Sequence, residues 1–135
     1  MSKDTVTASG KRKSAIARAS VKKGKGKVRI NNVLLDMVEP EIFRMKVREP
    51  LIIAGKLSDE IDIDISVAGG GVSSQADAVR LAIARALIKY TKDSKLEERF
   101  QEYDRHLLVA DVRRKEVRKP NTNSKARAKK QKSYR

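Results

Sequence analysis

The sequence has no cysteine and a single histidine, His106. The first absence removes disulfides and thiolate metal ligands, and the second leaves too few imidazoles for a histidine site. Neither a metal nor a cofactor is therefore expected. No apolar run approaches the ~20 residues of a spanning helix, so no membrane partner is expected. The opening MSKDTVTASG lacks the apolar region of a secretory leader, which points to the cytoplasm. No internal repeat is visible.

Positive charge is abundant. The 135 residues carry 32 Lys and Arg against 17 Asp and Glu, a formal +15 with a pI near 10.3. The stretch Arg113 to Arg135 alone holds +10, with Glu116 its one acid. Its apolar residues Val117, Ala126, Ala128 and Tyr134 follow no period of two or 3.6. Such a segment cannot offset its own ordering entropy, so it is expected to be disordered when free and ordered against a polyanion. The remaining +5 lies on residues 1–112, enough chain for one core. The expected organisation is a globular domain over 1–112 and a basic arm over 113–135. Charge of this sign makes nucleic acid the leading partner.

Periodicity sets the expected elements. Thr5 to Ser9 reads as a short strand before the basic cluster Gly10-Lys11-Arg12-Lys13. Ala15, Ala17, Ala19 and Val21 alternate with polar residues and predict a strand. Lys22 to Lys27, with two glycines, predicts a hairpin turn into a strand starting at Val28. Asn31-Asn32 reads as a turn. A helix from Pro40 to about Val47 is expected to bury Ile42, Phe43 and Met45, with Pro50 preventing simple continuation and Gly55 capping a last turn. Ile61 to Val67 alternates most cleanly, and Asp62 and Asp64 share its wet face. Paired carboxylates can do acid–base work, but no second titratable cluster accompanies them, so a solvated face is expected.

Gly69-Gly70-Gly71 precedes a mostly buried helix to about Tyr90, capped by Ser73 or Ser74 and showing a cationic edge at Arg85 and Lys89. Glycines opening a helix also make an anion site. This one lacks a P-loop lysine and does not match GxGxxG, so tight strand-to-helix packing is expected instead. Ser94 to Glu97 reads as a capping box for a helix with Leu96, Phe100 and Tyr103 on one face, and His106 as a loop or packing residue.

The run Gly69 to Leu87, GGGVSSQADAVRLAIARAL, resembles the signature of the universal small-subunit ribosomal protein family number nine. Gly10 to Ala15 resembles that family's basic N-terminal motif, and Lys132-Ser133-Tyr134-Arg135 its ending. The ending Gln131 to Arg135 resembles the archaeal and eukaryotic branch. The resemblance implies an α+β fold: two layers, a mixed sheet of about four strands packed by helices, and a long basic C-terminal extension. It implies a structural, non-catalytic place in the small-subunit head, against ribosomal RNA and neighbouring head proteins, with no small-molecule substrate. It further implies that the arm reaches the peptidyl-site tRNA, where Arg135, with Tyr134 and Lys132, meets the RNA backbone.

The cations expected to meet ribosomal RNA begin with Lys11, Arg12 and Lys13. Arg18, Lys23, Lys25 and Arg85 follow in the body. Arg113, Arg114, Lys115, Arg118, Lys119, Lys125, Arg127, Lys129 and Lys130 continue along the arm. Two other classes remain open on the residues alone: a free-standing nucleic-acid packaging protein, and a small nucleotide-using enzyme built on the glycine loop.

Overall fold

The computed structural model describes residues 5–121 and 126–127. Alternation produces the expected central strands. Strand β1 (Val6–Arg12) pairs antiparallel with β2 (Ala15–Lys23) across the two-residue turn Lys13-Ser14. The N-terminal basic cluster is therefore largely strand, since Gly10, Lys11 and Arg12 belong to β1. Ala15, Ala17, Ala19 and Val21 are fully buried on one face of β2.

The hairpin expected between β2 and β3 (Val28–Ile30) does not form. The sheet order is β1-β2-β5-β3-β4, where β4 is Val33–Leu34 and β5 is Ile61–Ala68. β5 lies antiparallel to β2 and parallel to β3, making the sheet mixed as expected. Its four β-branched residues Ile61, Ile63, Ile65 and Val67 are all buried, and the centre of the sheet is where such a face loses most water. Glycines marked the turn correctly, but local chemistry could not name the strand's partner. The fifth strand, beyond the four or so expected, is the two-residue β4. Asn31 and Asn32, both at positive φ, turn β3 into it. Asn31 also extends the ladder, its side chain accepting from Val67 N and donating to Val67 O.

All three α-helices of the described residues contribute to the buried layer. Helix α1 (Glu41–Ala54) runs through Pro50 rather than stopping before it. Phe43, Val47 and Pro50 are buried at helical spacing, so packing outweighs the lost backbone hydrogen bond. Ile42 and Met45, expected inside, are 65% and 59% exposed. Gly55 caps the helix at positive φ as expected.

Helix α2 (Val72–Thr91) is buried over most of its circumference. Gly71 occupies its N-cap, so Ser73 and Ser74 lie inside the first turn and cap nothing. Helix α3 (Ser94–Tyr103) buries Leu96 and Phe100 but leaves Tyr103 exposed, and its cap is the Asp93 side chain rather than Ser94.

The contact that fixes the two layers is α2 on β1. A Cβ at Gly10 would lie 2.2 Å from the Ala78 carbonyl oxygen and 2.6 Å from the Ala82 nitrogen. Glycine is required there because the helix backbone itself touches the strand. The strand-to-helix glycines act similarly: Gly69, at φ +81, would carry a Cβ 2.5 Å from Ser14 O. Gly69 and Gly70 pack against the β1–β2 turn and the start of β2, as the packing expectation required, whereas Gly71 meets nothing within 4 Å.

Gly10→Val should destabilise the full chain by about 1–3 kcal/mol or more, because backbone rather than a movable side chain is struck. Gly71→Ala, with nothing within 4 Å and an ordinary φ, should cost less than about 1 kcal/mol. Urea unfolding of the two variants separates close packing from generic glycine effects.

Candidate nucleic-acid interface

The base of the C-terminal arm returns to the β1–β2 turn. Arg12 Nη1 donates to Arg113 O at 3.4 Å, and Arg114 Nη1 donates to Lys13 O. Residues a hundred positions apart thus line one cleft: Arg12, Lys13, Ser14, Arg113, Arg114 and Lys115. Five of its six lining residues are cations, so it suits a polyanion.

One carboxylate organises this cleft. Asp111 accepts from Arg113 Nε at 3.0 Å, Arg113 Nη2 at 2.6 Å and Arg113 N at 3.0 Å. Arg12 Nη2 stands 3.4 Å away. The Arg113 side-chain bonds, then its backbone N–H, hold the Asp111 carboxyl far below the usual range, with Arg12 adding to them. The same carboxylate raises the pKa of Arg113. Asp111 is therefore a fixed anion that aims two arginines. Arg12, with its side chain 15% exposed, acts mainly as a strut between β1 and the arm base.

A second brace holds the chain just before the arm. Arg80 Nε lies 2.5 Å from Glu49 Oε2, and its Nη2 donates to Asp104 Oδ2 at 3.0 Å. Burial opposes ionisation of Asp104, but the His106 backbone N–H and Arg80 outweigh it and leave the carboxyl below its ordinary range. Asp104 thereby caps the 3-10 turn Arg105–Leu107, which includes His106. Leu107 is fully buried and anchors this turn, whereas Val112 and Val117 beyond it are 84% and 78% exposed.

The other expected cations fall on separate surfaces. Lys11 lies beside the cleft, near Asp77 and Arg80. Arg18 stands on the open face of the sheet, in a groove with Arg29, Asn31 and Ser66. Arg29 escaped notice in the sequence because its nearness to Arg18 depends on β5 lying between their strands.

Lys23 and Lys25 occupy the opposite end of the strands. Their loop is shaped by Asp62, whose Oδ1 accepts from Lys25 N at 2.9 Å and Lys27 N at 3.0 Å. Gly24 N and Gly26 N donate to Glu60 O and Ile61 O. Asp62 is thus a loop clamp rather than a merely solvated side chain. Asp64 remains half exposed, 3.9 Å from Lys22.

The expected cationic edge of α2 is engaged. Arg85 donates from Nε to Leu108 O and from Nη1 to Ser9 O, while Lys89 Nζ donates to Thr7 O. The bonds to Ser9 O and Thr7 O cover the outer edge of β1, which would otherwise offer free carbonyls to another strand.

Along the arm, Lys119 and Arg127 both reach Glu116, and Arg118 is exposed. Lys125, Lys129, Lys130, Lys132, Tyr134 and Arg135 lie outside the described residues. Among the described residues, no three acidic or histidine side chains converge as a metal site, and no helix is long and apolar enough to cross a membrane.

The fold and cleft together define a class: a basic α+β protein whose surface suits polyanions. The family model for ribosomal protein S9/S16 matches residues 10–135, and the chain belongs to that family of structural, non-enzymatic proteins. A relative from Methanothrix thermoacetophila, named "Small ribosomal subunit protein uS9", is 55% identical over 130 residues, covering 96% of this chain and 98% of that protein. A protein of the same name from Methanococcus maripaludis strain C5 is 52% identical over 127 residues, covering 93% and 95%.

The Asp62 clamp has a pH signature. Backbone N–H bonds from Lys27 and then Lys25 hold its pKa below the ordinary 3.8. The unfolded chain therefore binds this proton more readily, so the clamp's contribution is complete above about pH 5 and drains away as pH falls through the folded value. Asp62→Ala should lower Tm at neutral pH, and its gap to wild type should narrow as the solution is acidified. A gap that is independent of pH would show that the charge is irrelevant to the clamp.

Proposed function

We propose that this chain is a structural constituent of the small ribosomal subunit head. It binds ribosomal RNA through the cleft at the arm's base and extends the arm to steady the peptidyl-site tRNA. The observation that carries the reading is the convergence of residues 12–14 with 113–115. It gives the arm a fixed root within a cationic surface rather than a free start. The names of the relatives support the small-subunit assignment, and with it a location on cytoplasmic ribosomes beside neighbouring head proteins.

The cleft's role is electrostatic. Lys13 and Lys115 carry no side-chain bond to a described residue, and Arg114 retains donors beyond its bond to Lys13 O. They would neutralise phosphates and release counterions. Further along, residues 113–135 can span at most ~75–80 Å if fully extended, enough to leave the body's own binding site. Arg135 would offer a planar fork to a phosphate, and Tyr134 a ring to a base or sugar. The open-face pair Arg18 and Arg29, and the Lys23–Lys25 loop, supply further RNA contacts on other sides of the body.

If about six arm cations meet phosphates, log affinity for small-subunit RNA should fall with log salt at a slope of roughly −4 to −5. Lys13→Asn with Lys115→Ala should weaken binding and make that slope shallower by roughly one per lost contact. Deleting residues 132–135 should leave subunit assembly nearly intact but weaken peptidyl-site tRNA binding. Unchanged tRNA affinity in the truncated particle would defeat the role of the arm tip. Failure of the full chain to sediment with small subunits would defeat the reading as a whole.

A further inference from the structure

One surface of this cationic protein has the opposite character. The stretch Asn31 to Phe43 contains three acids, Asp36, Glu39 and Glu41, and no Lys or Arg. It forms one wall of an apolar groove between β4, the start of α1 and the start of α2. Val33, Met37, Val38, Phe43, Val67 and Val72 line the groove, which holds about 340 Å³, and Glu39 stands at its edge. Val33, Met37 and Val72 are 44%, 73% and 51% exposed. Leu34 and Ile42, nearby in the chain, are also exposed.

Charge decides what such a groove can accept. The cations on the adjoining helix are occupied internally. Arg44 donates to Asp36 O, Arg48 pairs with the Asp36 carboxylate, and Lys46 pairs with Asp77 at 3.2 Å. The Glu39 and Glu41 side chains have no hydrogen bond or ion pair among the described residues. Glu41 complements the N-terminus of α1, but Glu39 precedes the helix and has no such role. An RNA backbone laid here would meet the uncompensated Glu39 carboxylate, with Glu41 nearby in the chain, and bare aliphatic surface. A basic polypeptide would meet complementary charge and bury its apolar side chains.

We infer that this groove seats a basic segment of a neighbouring protein, with an apolar side chain among Val33, Met37 and Val72 and its cations against Glu39 and Glu41. The inference rests on the ribosomal reading above, in which this chain's own arm is committed to RNA. The surface lies on the β3–β4 side of the sheet and shares no lining residue with the cationic cleft. Protein would therefore be received on a surface separate from that cleft, meeting the Arg18–Arg29 groove only at Asn31.

The lack of native cysteine makes the test direct. Met37→Cys creates a unique thiol at an exposed position, and the free variant should keep the wild-type Tm. A bulky maleimide should label this thiol roughly ten-fold more slowly in assembled small subunits than in the free chain, as expected for a desolvated contact. A benzophenone attached to the same thiol before assembly should cross-link, on irradiation, to one Lys- or Arg-rich segment of another protein. In the same background, Glu39→Lys with Glu41→Lys should abolish that product and restore fast labelling through like-charge repulsion. Cross-linking to RNA, to this chain's own arm or to a second copy would overturn the inference. So would labelling in the subunit as fast as in the free chain. If the variant enters subunits normally yet gives any of these results, the groove proposal fails while the ribosomal role stands. Failure of wild type to enter subunits removes both.

Discussion

The structure depends on how closely α2 approaches the sheet. At Gly10 the helix backbone rests on β1 with no side chain between them, and the fully buried Ala15, Ala17 and Ala19 keep the adjoining strand equally low. A layer contact made by small residues gains less from each side chain than one made by leucines. Its compensation is dense backbone-to-backbone contact over a long helix, which leaves little freedom for the layers to slide. The position of the β1–β2 turn follows. The same rigid corner carries Gly69 and Gly70, the start of α2 and the root of the C-terminal arm.

Electrostatics acts on top of that packing rather than in place of it. Exposed ion pairs contribute only about 0–1 kcal/mol, whereas a buried aliphatic or aromatic side chain contributes about 1.5–3 kcal/mol. Asp62, Asp104 and Asp111 are therefore better understood as organisers than as the source of stability. Each accepts backbone N–H bonds at the start of an irregular segment. Asp62 and Asp111 leave Lys25, Lys27 and Arg113 exposed, whereas Arg12 beside Asp111 and Arg80 beside Asp104 are largely covered. In a chain of +15, scattered carboxylates at loop roots let positive side chains be aimed without the loops being forced apart. Arg12, Arg80, Arg85 and Lys89 make the complementary point. A cation in a basic protein can be a strut, and their bonds to carbonyls and carboxylates occupy donors that a phosphate would otherwise use.

Much of the architecture was legible residue by residue. The alternation at Ala15 to Val21 and at Ile61 to Val67 marked both central strands and their buried faces, because a period of two maps directly onto a pleated surface. Gly55 marked a helix end, and Asn31-Asn32 marked a tight turn. The errors share a cause. Pro50, Ile42 and Met45 were misjudged because the burial of α1 depends on the angle at which it meets α2, which its own sequence does not encode. The glycine turn after Lys22 suggested the nearest strand as partner, but β5 supplied a longer and more apolar one. Of the cleft, the sequence displayed both cationic halves and hid their meeting. Asp111, whose carboxylate holds the arm's root, looked like an ordinary acid before a basic run.

Charge balance, the alternation of the two central strands and the motifs shared with the ribosomal protein S9/S16 family belong to the sequence alone, since composition and local spacing carry them without any fold. Partnership is different. Which strand lies beside β2, which cations face solvent and which acids stay unpaired were decided only when α2 settled onto Gly10 and brought residues 12–14 against residues 113–115. The physical reason is that such contacts join positions a hundred residues apart, and the free energy selecting them comes from burying the whole core at once rather than from either segment.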